Sequence, residues 1–217
     1  ETPDGRHLLM YTGVHTEREA DGTRYEVQKQ CVAFGDGINY EKAAENPVID
    51  ADQIPCGGSN RDFRDPKLWR EDGVYKAVVA NRHPDGAGAV LLYESEDALH
   101  WQFSSVVASC HNQFGRMWEC PDLFRLDGEA VLLVSAFELV ETGLELLPGN
   151  GVLCLIGDYD RESVKLTEKH VHAADYGLDF YAPQTVLTPD GRRVMIGWMQ
   201  YWDSTRYPPE DLPFLGQ

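Results

Sequence analysis

Long apolar runs and basic residues are both scarce in this sequence. No stretch approaches the roughly 20 apolar residues that a membrane-spanning helix requires. The 19 Lys and Arg residues stand against 36 Asp and Glu residues, which gives a formal net charge of −17. A surface of this sign repels phosphate backbones and anionic lipids. We therefore expect neither nucleic acid nor membrane as a partner, whereas a neutral small molecule meets no such barrier.

Short motifs that mark metal, nucleotide or serine-hydrolase sites are missing as well. The seven histidines form no HExxH or HxxxH arrangement, and neither a lysine-bearing phosphate loop nor a Gly-x-Ser-x-Gly elbow occurs. His170 and His172 share one face of a possible strand, which permits metal binding, but an exposed polar pair is the simpler interpretation. We expect no metal site.

The cysteines are few and scattered, without a CxxC pair, which argues against a zinc site and a disulfide framework. They are Cys31, Cys56, Cys110, Cys120 and Cys154. Reduced thiols in a cytoplasmic protein are the simplest interpretation, although two bridges and one free thiol also fit the count. Because the chain starts at Glu1 without a Met, a secretory leader ahead of it stays open.

The dominant pattern is short β-type runs closed by turns, with no sustained helical period. The Asp-Gly pairs at 36–37, 72–73, 127–128 and 190–191 are typical hairpin turns. The predicted strands cover 6–11, 26–34, 75–81, 90–94, 130–136, 152–156 and 193–198. The sequence therefore predicts an all-β chain.

A long-range repeat suggests how these strands are organised. Tyr11, Asp65 and Glu119 follow one another at intervals of 54 residues, and Asp179 lies 60 residues further on. A period of this length in an all-β protein indicates the four-stranded blades of a β-propeller. The 217 residues then supply a little under four blades, so we expect one domain over residues 1–217 that is part of an incomplete ring.

Asp65 and Glu119 are the acidic residues best placed for chemistry. Each lies among apolar residues just before a predicted strand, and equivalent positions in successive blades would point both towards the propeller axis. A pair of carboxyl groups, one protonated and one ionised, is what cleavage of a glycosidic bond requires. Trp118 and Cys120 beside Glu119 favour a raised pKa, and Arg64 beside Asp65 favours its ionised form. A turn-forming Asp before Pro and a surface Arg-Asp pair remain the plain alternatives.

Five motifs in order over nearly the whole chain resemble glycoside hydrolase family 32. Residues 63–66 (FRDP) and 118–122 (WECPD) are similar to two motifs of that family, and residues 9–13 (LMYTG), 179–184 (DFYAPQ) and 196–199 (IGWM) are similar to three more. The resemblance implies a five-bladed β-propeller that cleaves β-fructofuranosyl linkages of sucrose, inulin or levan with retention, through a covalent fructosyl-enzyme intermediate and without cofactor or metal.

The same resemblance implies a role for individual residues. Glu119 corresponds to the general acid/base, and Asp65 to the transition-state stabiliser that accepts hydrogen bonds from the fructosyl ring. Arg64 lies beside Asp65 as a substrate-binding residue. Trp198 lines the sugar pocket, and Asp179 lies near it. The expected partner is a small carbohydrate substrate, and the sequence indicates no oligomeric state.

One family motif does not occur in the chain. The family's nucleophile is the Asp of an NDPNG motif in the first blade, and only ten residues precede Tyr11. We expect the first blade and the C-terminal β-sandwich of the family to be missing, and the fragment to be inactive without its nucleophile. A fructosyltransferase on the same fold, a non-catalytic carbohydrate-binding propeller and a related arabinan- or xylan-cleaving propeller remain alternatives.

Overall fold

The computed structural model describes residues 1–110, 113–143, 145–160, 165–177 and 179–200, and these residues form thirteen β-strands and two single-turn 3-10 helices at 51–53 and 55–57. None of them forms a helix that is long and apolar enough to span a membrane. The strands are β1 His7–Arg18, β2 Arg24–Gly35, β3 Tyr40–Lys42, β4 Phe63–Glu71, β5 Val74–Arg82, β6 Gly88–Ser95, β7 Gln102–Ser109, β8 Met117–Leu126, β9 Glu129–Leu139, β10 Gly149–Asp160, β11 Lys165–Ala173, β12 Tyr181–Leu187 and β13 Arg193–Trp198.

The strands form four antiparallel sheets that follow one another along the chain. We number them in their order along this chain as blade 1 (β1–β3), blade 2 (β4–β7), blade 3 (β8–β11) and blade 4 (β12–β13). These numbers are independent of the blade numbering of the family used above. Within each sheet, every strand pairs with its neighbour in sequence, so each sheet is a simple meander. A succession of such meanders is the blade pattern of a propeller. Each of the seven predicted strands overlaps an observed one.

Two of the Asp-Gly pairs form the hairpin loops at corresponding places in blades 2 and 3. Asp72 and Gly73 join β4 to β5 with φ of 51° and 87°, and Asp127 and Gly128 join β8 to β9 with φ of 49° and 90°. A two-residue type I′ turn requires positive φ at both positions, and Asp-Gly satisfies it at little cost. These turns fix the register of the two hairpins.

Blade 2 is covered on both faces, which explains the continuous apolar run in β5. Ala77 and Val79 point into a core that includes Val32 of blade 1, whereas Val78 points into a core that includes Trp118 of blade 3. All five residues are fully buried. Because successive side chains of a strand point to opposite faces, blades 1, 2 and 3 stack face to face.

The first strands of the blades lie next to one another as a result of this stacking. β4 contacts β1 on one side and β8 on the other, and β12 contacts β8. The predicted position of the two carboxyl residues just before a strand is wrong. Asp65 lies inside β4 and Glu119 lies inside β8, so both sit on these adjacent inner strands.

Candidate active site

Each of the inner strands β4, β8 and β12 contains a β-bulge at a proline. In each case the pairing with the next strand skips two residues. The first skipped residue precedes the proline and is left-handed: Asp65 has φ 61°, Cys120 φ 49° and Ala182 φ 50°. This conformation costs a residue other than glycine roughly 1–2 kcal/mol. Three blades therefore maintain the same unfavourable backbone at the same place.

The bulges align Arg64, Glu119 and Tyr181, which are the last paired residues before each one. Arg64 lies 55 residues before Glu119, and Tyr181 lies 62 residues after it. The repeat in the sequence, which matched Asp65 with Glu119, is thus out of register by one residue. In structural terms the equivalent of Glu119 in blade 2 is Arg64, while Asp65 corresponds to Cys120.

These three aligned side chains meet at the carboxyl group of Glu119. Nε and Nη2 of Arg64 lie 2.8 Å and 2.7 Å from Oε1 of Glu119, and the Tyr181 hydroxyl donates to Oε2 at 3.1 Å. The Glu119 side chain is 13% exposed and that of Arg64 is 20% exposed. Arg64 Nη1 also donates to Asp62 at 3.2 Å. The Arg64–Glu119 pair is therefore mostly buried. Its hydrogen bonds join residues of blades 2, 3 and 4 and Asp62, which lies just before β4.

Asp65 is hydrogen-bonded to the backbone next to Glu119. Its Oδ2 accepts a hydrogen bond of 3.0 Å from the Cys120 amide, and its own amide donates to Oγ1 of Thr12 at 3.1 Å. The expectation that Arg64 would pair with Asp65 is wrong, because the bulge turns the two neighbouring side chains apart and Arg64 bonds Glu119 instead. Oδ1 of Asp65 has no hydrogen bond in the described part of the chain.

The electrostatics of Glu119 balance burial against nearby charge. Burial raises the pKa of Glu119 above its usual value, and the negative charge of Asp65 acts in the same direction, while the Arg64 guanidinium and the Tyr181 hydroxyl oppose them. Burial prevails, so the predicted rise in the Glu119 pKa is confirmed in direction. A carboxyl group that keeps its proton more readily is suited to donating it.

The remaining predicted site residues lie in blade 4 or just before it. Trp198 lies opposite Tyr181 in the β12–β13 pairing and is 40% exposed. Asp179 is half-buried just before β12, and no hydrogen bond or ion pair among the described residues joins it to Arg64, Asp65 or Glu119. Arg64, Asp65 and Glu119 are thus brought together. Trp198 pairs with Tyr181, whose hydroxyl bonds Glu119.

Tyr181 is the residue of this site that the sequence analysis missed. Its side chain is buried, with 1% of the residue exposed. The signal for it lies in the repeated pattern in which a polar residue stands two positions before a proline, as Arg64, Glu119 and Tyr181 all do. Aligning these three motifs on their prolines would have placed Tyr181 beside Glu119.

A second polar cluster ties the same strands together just beyond the bulges. Oδ2 of Asp122 accepts from the Thr185 amide at 2.6 Å and from Nζ of Lys67 at 3.4 Å, and Lys67 also donates to the Thr185 carbonyl at 2.6 Å. Asp122 is 1% exposed. The cluster links β4, β8 and β12, and therefore supports the register of all three bulges.

A succession of propeller blades with two carboxyl groups on adjacent inner strands is compatible with a glycoside hydrolase domain. The chain belongs to glycosyl hydrolase family 32: the model of the "Glycosyl hydrolases family 32 N-terminal domain" matches residues 2–216. The family expected from the five motifs is therefore confirmed.

Relatives in sequence and structure agree with this assignment. The chain is 38% identical over 207 residues to a sucrose-6-phosphate hydrolase of Staphylococcus xylosus, covering 94% of this chain and 40% of the relative, and 37% identical to a raffinose invertase of Escherichia coli, covering 93% and 41%. A Bombyx mori family 32 β-fructofuranosidase variant, solved with sucrose, superposes with a TM-score of 0.83 at 34% identity over 93% of this chain and 42% of that one.

Two conclusions follow from these likenesses. The predicted all-β fold, a β-propeller that these residues form only in part, is confirmed by the structural likeness and by the succession of blades. The chain spans about 40% of the length of the curated relatives it matches. The division of the chain into a single domain over residues 1–217 stays a prediction.

Proposed function

We propose that residues 1–217 supply the acid/base and the transition-state stabiliser of a β-fructofuranosidase. The observation that carries the proposal is the ion pair between Glu119 and Arg64, together with the hydrogen bond that Asp65 accepts from the Cys120 amide next to Glu119. Glu119 is the general acid that protonates the leaving oxygen and the general base that later activates water. Asp65 accepts hydrogen bonds from hydroxyl groups of the fructosyl ring, and its charge favours the positively charged transition state.

The sugar pocket extends from these residues towards blade 4 in this proposal. Trp198, which is 40% exposed, is proposed to line this pocket and to pack against a sugar ring, and Asp179, just before β12, is proposed to lie near it. Arg64 orients both Glu119 and the substrate. The nucleophile of a retaining mechanism is not among these groups, because the NDPNG motif does not occur in residues 1–217. That the 217 residues alone are inactive stays a prediction.

The substrate is proposed to be a small β-fructofuranoside. The names of the relatives point to sucrose, its 6-phosphate and raffinose as the first compounds to assay, followed by inulin and levan. The scattered cysteines, which fit reduced thiols, lead us to place the activity in the cytoplasm.

The stereochemical outcome tests the proposed mechanism. We would incubate the complete product of the gene with sucrose in dilute methanol and follow the first methyl fructoside formed by NMR. Retention predicts the β-anomer, because two successive displacements restore the configuration. The α-anomer as first product would contradict a retaining fructosidase. Transfer of fructose mainly to sucrose, with little free fructose, would instead identify a fructosyltransferase.

Asp65→Asn is expected to slow hydrolysis while leaving the fold in place. Asn keeps the shape of the side chain and can still accept from the Cys120 amide. It lacks the negative charge that strengthens the hydrogen bonds from the fructosyl hydroxyls and stabilises the positively charged transition state. We expect kcat/KM for sucrose to fall by roughly 10- to 100-fold, the equivalent of a charged hydrogen bond of about 1.5–3 kcal/mol. Asp158→Asn, at an exposed ion pair with Lys169, is the control and should retain full activity; equal values for both variants would remove Asp65 from the site.

A further inference from the structure

The two oxygens of the Glu119 carboxyl group have different partners. Arg64 directs two N–H groups at Oε1, from 2.8 Å and 2.7 Å, and these donors leave Oε1 poorly placed to hold a proton. Oε2 has the Tyr181 hydroxyl as its partner at 3.1 Å. The transferable proton of Glu119 therefore belongs on Oε2, the oxygen that faces Tyr181.

Tyr181 is held in a fixed position by blade 3. Its ring packs edge-on against Phe137 of β9, with 5.9 Å between ring centroids and 71° between planes. The amide of the next residue, Ala182, donates to Oγ of Ser135 at 3.1 Å, and Gln184 donates to the Cys120 carbonyl at 3.0 Å. The hydroxyl is thus preset for Oε2 before any substrate arrives, which is the property that makes a hydrogen bond useful in catalysis.

We propose that Tyr181 is a positioning residue for proton donation by Glu119, stabilising the charge that appears on Oε2 when the proton leaves. This inference rests on the proposed fructosidase function. The proton passes from Oε2 to the glycosidic oxygen as the bond between that oxygen and the fructosyl carbon breaks. The bonding electron pair stays with the oxygen, and the fructosyl carbon forms a new bond to the carboxylate nucleophile of the retaining mechanism. The leaving sugar departs as a neutral alcohol, and Glu119 becomes a carboxylate that accepts from Arg64 and Tyr181.

The surroundings of Glu119 give a direction to the pH dependence. The titratable and charged groups that face it are Arg64 and Asp65 from β4, Cys120 on its own strand and Tyr181 from β12. The Tyr181 hydroxyl stabilises the ionised form and so lowers the pKa of Glu119. Removing the hydroxyl raises that pKa. Since the acid must be protonated, the alkaline limb of the rate profile then moves to higher pH.

Tyr181→Phe in the complete gene product tests the proposal. For sucrose, whose leaving group needs protonation, we expect kcat to fall by about 10- to 100-fold, the value of a hydrogen bond to a charged group, with KM little changed. For p-nitrophenyl β-fructofuranoside, whose leaving group departs without a proton, kcat should barely change. The alkaline limb for sucrose should move upward in pH.

Tyr93→Phe is the matched control. Tyr93, on β6 of blade 2, is also fully buried, and its hydroxyl donates to the Gln53 carbonyl at 3.0 Å rather than to Glu119. It should change neither the ratio of the two substrates nor the pH profile. Equal losses on both substrates in Tyr181→Phe, or an alkaline limb that does not rise, would overturn the inference. A wild-type protein that releases no fructose would instead overturn the proposed function on which it rests.

Discussion

Glu119→Gln is expected to slow fructose release from sucrose by about 10²–10⁴-fold, the range that general acid–base catalysis contributes. The Gln amide oxygen can still accept from Arg64, and its NH2 group can donate to the Tyr181 hydroxyl, so the hydrogen-bonded frame of the site persists. It has no proton to give to the leaving oxygen and cannot activate water in the second step. The loss therefore falls on kcat rather than on KM.

The choice of substrate separates this chemical loss from a folding defect. An aryl fructoside with an acidic leaving group needs no proton for the first step, so its fructosyl-enzyme intermediate still forms. Azide attacks such an intermediate without a general base, and we expect it to restore turnover in Glu119→Gln. Glu129→Gln, at an exposed ion pair with Lys169, should behave as wild type. Failure of azide to restore any turnover would contradict the assignment of Glu119.

Lys67→Met is expected to destabilise the propeller by about 3 kcal/mol, near the lower end of the cost of leaving one member of a buried ion pair without its partner. Asp122 is 1% exposed and depends on Lys67 and the Thr185 amide. One Asp122 oxygen, Oδ1, is already buried without a hydrogen bond within the described residues. Lys67 is the only cation paired with Asp122 among the described residues, so its loss leaves a buried carboxylate with one hydrogen-bond donor, the Thr185 amide. Urea unfolding followed by tryptophan fluorescence measures the change.

Two further variants show whether the charge or the packing is responsible. Adding Asp122→Asn to Lys67→Met removes the buried charge and should recover much of the lost free energy of unfolding. Lys169→Met removes a lysine from the exposed pairs with Glu129 and Asp158 and should leave the unfolding midpoint nearly unchanged. A double variant no more stable than Lys67→Met would show that the ion pair is not the cause.

The sequence predicted the second strands of the blades well and missed the inner strands β4, β8 and β12 for a physical reason. The runs 75–81 and 130–136 lie inside β5 and β9, because apolar patterning and Asp-Gly turns are local signals. The inner strands β4, β8 and β12 each contain a proline, which removes a hydrogen-bond donor and argues against a paired strand. The bulges resolve the conflict, since the proline sits at a position that needs no partner.

The site was only half predictable on the same grounds. Family motifs singled out Asp65 and Glu119, which the fold brings to adjacent inner strands, and burial raises the Glu119 pKa as expected. The partners were not predictable from neighbours in sequence: Arg64 bonds Glu119 rather than Asp65, and Tyr181 reaches Glu119 from 62 residues away. Such contacts depend on how the blades stack, and a shift of one residue at a bulge changes which side chains face the axis.

Fructose release by the complete gene product, assayed on sucrose, sucrose 6-phosphate, raffinose, inulin and levan beside arabinan and xylan, tests the central claim most directly. The account predicts that wild type releases fructose from at least one fructoside and no pentose from arabinan or xylan. It also predicts that Glu119→Gln loses this release by orders of magnitude. A folded wild-type protein that releases no fructose, or that releases pentose instead, would contradict the account and favour a binding propeller or a different glycan.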